Sequence, residues 1–264
     1  MKFALVRNIL GLVTISGLAL AKSQLCEELY HLEVPSTENC IDNENGEVVS
    51  IDYYLEENTS IEEKILSLKS LESLEISAQT GGEFNLAFNG FTKLKSLNLK
   101  NRVDEEDTSI VTFAKNGLKL PKNLKELKIS GFIFNQDAID EITSLSNLET
   151  LDTSFTEMDN VNLEKFANCQ NLYSLEMFVG YDTVLPDNVL TNFKTIKSLT
   201  LYDVTLTDKN INDIASLTQL EKFSIQIEDE IINKLNIDPI KNLPNLKELE
   251  INHKKVNLPK SSKS

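Results

Sequence analysis

The chain has no tryptophan, only two histidines and only three cysteines in 264 residues. His31 and His253 lie at opposite ends of the sequence, which excludes a histidine-based catalytic triad and a histidine metal site. No GxGxxG, P-loop or GxSxG motif occurs, so the short signatures of phosphate cradles and nucleophile elbows are absent too. Cations are also scarce: 26 Lys and Arg stand against 41 Asp and Glu, a formal charge of -15. Such a chain is repelled by nucleic acid and by anionic lipid, which are bound by neutralising phosphates with basic side chains. Carboxylate pairs abound, but they are expected to be wet, and a glycosidase acid needs a pKa raised by burial. No catalytic residue, cofactor or metal ligand set is therefore assigned.

Long apolar runs are lacking except at the start. Lys2 and Arg7 precede an apolar or small-residue stretch from Ile9 to Ala21, and Ala19 and Ala21 form an AxA site before Lys22. This is the layout of a cleaved secretory signal peptide over residues 1–21. No other stretch approaches the roughly 18 apolar residues needed to cross a bilayer. The expectation is a secreted chain, extracellular or at the cell surface, free of the membrane once the leader is removed. Loss of Lys2 and Arg7 takes the charge to -17.

What is present is a repeat. The pattern LxxLxL opens at Leu71, Leu94, Leu124, Leu148, Leu172, Ile196, Leu220 and Leu246, with intervals of 23, 30, 24, 24, 24, 24 and 26 residues. A degenerate copy, Val48, Ile51 and Tyr53, lies 23 residues ahead of the first. A fixed period in the twenties with this signature denotes a leucine-rich repeat solenoid. In the copy at Leu148, Leu151 and Thr153 share one face of a short strand while Thr150 and Asp152 share the other. The second, third and fifth positions of each coil are thus expected to face outward on the concave side. Between strands the apolar spacing changes to threes, at Ile139, Ile142, Leu145 and Leu148 and again at Ile211, Ile214, Leu217 and Leu220. That spacing predicts a short helix or 3₁₀ turn returning along the convex side. The fold expected is α/β, a horseshoe of about nine coils whose apolar rows merge on stacking.

Cys26 and Cys40 flank the segment before the first strand, where an oxidising compartment lets them close a short loop. With the repeats, this front segment resembles that of secreted leucine-rich repeat proteins, and the resemblance runs from about Cys26 to Leu258. It implies an N-terminal cap over residues 22–47, repeats over 48–258, and a polar tail at 259–264. It also implies a binding function, since few members of that family are catalytic. Known members place Asn or Cys at the ninth position of each coil. This chain has Gln79, Arg102, Phe132, Thr156, Gly180, Val204, Glu228 and Lys254 there, so no such ladder is expected. At the back no cysteine-rich module follows, and Val256 and Leu258 are expected to fold over the edge, or its lysines to protect it.

On the concave side the second positions place Glu72 beside Lys95, Lys125 beside Glu149 and Lys197 beside Glu221. These pairs are expected to hold strands in register. The fifth positions are acidic, with Asp52, Glu75, Asp152, Glu176 and Glu250 against Lys128, a stripe suited to a basic partner. Aromatics gather in three consecutive coils: Phe155, Phe178 and Tyr202 just beyond the strands, Tyr173 on the strand face and Tyr181 nearby. Rings are enriched in binding hot spots, so Tyr173, Glu176, Phe178, Tyr181, Tyr202 and Asp203 form the candidate ligand patch. The alternative is that some rings turn inward to fill wide coils. The long coil at Leu94 carries Asp104, Glu105, Glu106 and Asp107, read as a solvated loop because it lacks the ligand alternation of a calcium loop. Asn58, in Asn58-Thr59-Ser60, is the glycosylation sequon, and Cys169 is expected in the core. The function expected is recognition of a protein ligand by the concave face. Carbohydrate or cell-wall binding, including inhibition of a wall-degrading enzyme, is the alternative if the rings are exposed.

Overall fold

The computed structural model describes residues 26, 40–55, 63–102, 111–154, 163–178 and 184–259. The leader, Asn58, the acidic run 104–107, Phe155 and Tyr181 lie outside them. The early strands are β1 (Cys40–Asp42), β2 (Val48–Leu55), β3 (Ser73–Ala78), β4 (Gly82–Ala87), β5 (Ser96–Asn101) and β6 (Val111–Lys119). Then come β7 (Glu126–Ser130), β8 (Thr150–Thr153), β9 (Ser174–Phe178), β10 (Ser198–Tyr202), β11 (Lys222–Gln226), β12 (Glu248–Ile251) and β13 (Lys254–Lys255). One sheet of 11 strands runs β1-β2-β3-β5-β7-β8-β9-β10-β11-β12-β13. From β2 to β12 all neighbours are parallel, which gives the nine coils of a leucine-rich repeat solenoid.

The register has no slip along this run. Ile51, Leu74, Leu97, Leu127, Leu151, Leu175, Leu199, Phe223 and Leu249 stand opposite one another, and all are buried. Identical spacing stacks identical side chains, so each coil completes the core of the next; burying one such residue contributes about 1.5–3 kcal/mol. Thr153 is buried beside Leu151 as its parity requires, and its hydroxyl donates to the Glu176 carbonyl at 3.3 Å.

The return segments fall into two kinds. In the regular coils they are helical: α1 (Gln136–Thr143), α2 (Asp208–Ala215), and 3₁₀ turns at Leu163–Asn168 and Leu190–Asn192. The predicted spacing by threes holds, since Ile139, Ile142, Leu145, Ile211, Ile214 and Leu217 are all buried. Local sequence starts both helices: Asn135 caps α1 by accepting from the Ala138 amide at 3.0 Å, and Thr207 forms a capping box with Asn210. In the coils opening at Leu71 and Leu94 the return is instead a strand. There β4 and β6 pair in parallel as a second sheet, which corrects the expectation of a helical return for these two. The reason is period: Phe84, Leu86 and Phe88, like Val111 and Phe113, alternate by twos. Phe113 stacks on Phe132 at 4.8 Å and Phe84 meets Phe132 edge-on at 5.2 Å, so rings fill the wider coil.

Both ends of the sheet are covered by antiparallel strands. β1 pairs with β2, and a disulfide joins Cys26 to Cys40 across a sequence separation of 14, with Cα atoms 5.7 Å apart. At the back β13 pairs with β12, the Val256 amide donates to the Leu249 carbonyl at 2.8 Å, and Val256 and Leu258 pack partly buried against the core. Lys254 and Lys255 stay exposed on that edge, so both devices anticipated for it operate together. Among the described residues no helix is long and apolar enough to cross a membrane.

Candidate functional site: the concave face

The outward positions of successive strands form rows. The second-position row is one chain of backbone hydrogen bonds: each of Glu72, Lys95, Lys125, Glu149, Tyr173, Lys197, Glu221 and Lys247 donates its amide to the carbonyl of its counterpart in the preceding coil. The side chains pair as their order predicts. Lys95 meets Glu72 at 2.6 Å, Lys125 meets Glu149 at 2.6 Å, and Lys197 lies 3.8 Å from Glu221, which also accepts from Lys247. Their hydrogen bonds hold the Glu72 and Glu221 carboxyls below the usual carboxylate range, and the bond to Glu149 lifts Lys125 above the usual lysine value. All these side chains are well solvated, so the pairs set register more than they add stability.

Tyr173 interrupts this row of charges. It is 43% exposed, one of few large apolar side chains among the described residues that open to solvent, and its backbone is fixed between Glu149 and Lys197. The fifth-position row is equally regular, running Asp52, Glu75, Asn98, Lys128, Asp152, Glu176, Thr200, Ser224 and Glu250 in register. Glu75 accepts from Asn98 and Lys100, both at 2.7 Å. Asp152 accepts from the Ser154 amide at 3.0 Å and its hydroxyl at 2.6 Å, and lies 3.7 Å from Lys128.

The six residues of the candidate patch do not all come together. Glu176 and Tyr202 do: the phenol donates to the carboxylate at 3.1 Å, and burial with Glu176 nearby pushes the phenol pKa up to about 12. Phe178 is buried, at 4% exposure, so it offers no open ring. It and Tyr202 are the last residues of β9 and β10 rather than lying beyond them, and they are in-register neighbours. Asp203 follows in the left-handed conformation, with φ 47°, and its amide donates to the Gln226 carbonyl at 3.0 Å, which makes it a turn residue at the sheet margin. Tyr181, like Phe155, lies outside the described residues.

Two features escaped the sequence reading. The asparagine ladder exists, one residue ahead of the first leucine rather than at the ninth position. Asn123, Asn147, Asn171 and Asn245 each donate a side-chain N–H to a carbonyl of the preceding coil, at 2.7, 3.0, 2.8 and 2.9 Å. The signal was the recurring Asn-Leu pair that opens these copies. The second feature is a cleft of about 460 Å³ where β5, β7 and β8 end, lined by Lys100, Asn101, Arg102, Lys128, Gly131 and Asp152 among others. Gly131 has φ +77° and a Cβ there would sit 2.0 Å from the Asn101 carbonyl oxygen, so only glycine lets the two chains approach.

Groups suited to metal or proton chemistry are few among the described residues. Cys26, Cys40 and Asp42 cluster within 4.8 Å, but the two sulfurs are bonded to each other and leave one carboxylate. Cys169 is buried, and burial pushes its thiol up to about 11. The carboxyls with a resolved shift, Glu72, Asp140 and Glu221, all move downward, away from a general acid.

No protein-family model matches the sequence, and no curated protein matches it. Solved structures do. An internalin C2 of Listeria monocytogenes is 20% identical with a TM-score of 0.51, over 77% of this chain and 80% of that one. A second internalin of that species is 16% identical with a TM-score of 0.48, over 73% of this chain and 57% of that one. A leucine-rich repeat protein of Leptospira interrogans is 19% identical with a TM-score of 0.44, over 75% and 53%. The chain therefore spans little more than half the length of the latter two. At these identities the likeness speaks to the fold alone.

Proposed function

We propose that this chain is a secreted, non-enzymatic repeat protein that recognises another protein through its concave face. The observation that carries the reading is Tyr173: a half-open aromatic ring on a rigid strand margin, in a row otherwise made of charges that satisfy one another. An anchor of this kind loses little conformational freedom on binding, which is why exposed tyrosines dominate interface energetics. The surrounding pairs supply a polar rim. Residues 1–21 as a secretory leader, together with the Cys26–Cys40 disulfide, support an extracellular setting.

The test is a partner captured by a photo-crosslinker placed at Tyr173, followed by its affinity for Tyr173→Ala. A loss of about ten-fold or more is expected. An unchanged affinity, or an equal loss from the ascending-turn substitution Asn147→Ala, would sink the reading. Carbohydrate binding loses Phe178 as a stacking platform, which leaves Tyr173 as the most exposed of the described patch rings. A glycan array separates the two: specific glycan binding abolished by Tyr173→Ala would replace the protein reading.

A further inference from the structure

The cleft at the ends of β5, β7 and β8 is the place where the electrostatics of the concave face reverse. Along the fifth-position row Lys128 is the sole cation, and Lys100 and Arg102 enter the same cleft from β5 and its end. Three cations thus line a pocket with one carboxylate, Asp152, in a chain whose net charge is -15. Their donors are unevenly spent. Lys100 is engaged by Glu75 at 2.7 Å. Lys128 reaches Asp152 only at 3.7 Å, and one oxygen of that carboxylate is already taken by Ser154. Arg102 is exposed, and among the described residues its guanidinium makes no ion pair. Behind them Asn101, 7% exposed, donates to the Thr80 carbonyl at 2.8 Å while its Oδ1 has no partner among the described residues, so a buried polar group backs a wall that also includes Ile129.

We infer that this cleft receives a carboxylate side chain, Asp or Glu, presented by the partner protein; the inference rests on the concave-face reading above. A planar guanidinium and an ammonium lining one cleft match a carboxylate in charge and in donor chemistry. Flanking charge sharpens the fit. Glu176 lies two strands from Lys128, which at about 4.8 Å per strand is about 10 Å, or three residues of extended chain. The segment recognised therefore carries a basic residue about three positions from its acidic one. The basic residue also offsets the repulsion that the chain's negative charge exerts on a purely acidic ligand.

The probe is a capped hexapeptide with one Glu and, three residues on, one Lys, titrated into the ¹⁵N-labelled mature protein. Saturable shifts of the Ser130, Gly131 and Ser154 amides are expected. The double substitution Arg102→Gln and Lys128→Gln should raise the half-saturating concentration about ten-fold, while Lys128→Arg retains binding. Unchanged melting temperatures will show that these surface variants fold. The inference fails if those amides do not move, if a peptide with Gln in place of Glu moves them equally, or if inorganic phosphate reproduces the shifts while the peptide does not. A crosslinked partner sensitive to Tyr173→Ala but indifferent to the double variant would sink the carboxylate cleft alone. One indifferent to Tyr173→Ala would sink the concave-face reading and leave the peptide result standing.

Discussion

The coils opening at Leu71 and Leu94 and the coils from Leu124 onward share one sheet and one register, yet they close their cores differently. In the front pair the return is a strand, and phenylalanines fill the space between the two sheets. In the regular run the return is a helix or 3₁₀ turn, the filler is Ile and Leu at spacing three, and asparagines stitch coil to coil. The lesson is that the LxxLxL strand fixes only the inner face. The period of the intervening residues, two or three, decides what lies behind it. An interval of 30 residues marks where the behaviour changes.

The sharpest way to break this comparison is to shrink a front ring and a rear aliphatic in parallel. Phe113 stacks on Phe132 and touches Phe134, so Phe113→Ala leaves a ring-sized void between two sheets that cannot collapse around it. A loss of about 3–5 kcal/mol is expected by urea unfolding, against about 0.5–1.5 kcal/mol for Ile142→Val in α1. Equal losses would mean that the phenylalanine cluster is no more tightly built than the helical coils. Gly131 stands at the junction of the two regions. Gly131→Ala forces a side chain against the Asn101 carbonyl in a backbone conformation that favours glycine, and is expected to cost about 2–3 kcal/mol. It should also close the cleft and abolish its peptide response; a stable variant with an unaltered response would show that β5 and β7 can separate there.

Most of the regular region was legible in its sequence because burial there depends on spacing. Leu151 with Thr153, the threes at Ile139 and Ile211, and the charge pairs at Lys125 and Lys197 all follow from counting, as does the front pair at Glu72. The front coils were harder, since Phe84, Phe113 and Phe132 come together only when β4 and β6 pair, and that pairing is non-local. Phe178 shows a further limit: strand parity puts it on the outer face with Glu176, yet it is buried, which parity alone does not foretell. The cleft was invisible for a related reason, because Lys100, Arg102 and Lys128 belong to two coils separated by the long interval. The ladder stands before the first leucine and not at the ninth residue, so a family pattern keyed to the ninth position does not reveal it.

The ladder gives a smaller and more regional effect. Asn147 bonds the Lys122 carbonyl from a solvated position, so Asn147→Ala is expected to cost about 1 kcal/mol. The front coil opening at Leu94 begins after Lys93 and has no equivalent asparagine. Introducing one there with Lys93→Asn should therefore leave stability within about 0.5 kcal/mol unless the front coil can adopt the rear geometry. A gain comparable to the rear loss, seen in the same urea series, would show that the two regions differ in filling but not in their ascending turns.

The smallest effect is the one expected to be alike in both regions. Glu72 in the front pairs with Lys95, and Glu221 in the rear pairs with Lys247 and Lys197; the folded pKa of each carboxyl is depressed. A depressed carboxyl contributes stability that is present above its unfolded pKa, near 4.5, and is lost as pH falls through the lower folded value. Lys125 has the opposite sign, since its raised pKa gives a contribution present below 10.5 and lost as pH rises through the folded value. Stability should thus be flat through neutral pH and fall gently at both limits. Glu72→Gln and Glu221→Gln should blunt the acid limb by equal, small amounts, because each carboxyl is solvated and its pairing is screened by salt. The check is the melting temperature between pH 3 and 7 at low and high ionic strength. A rear effect that survives high salt while the front effect vanishes would mean that the Lys197–Glu221–Lys247 trio acts as a network and not as two exposed pairs.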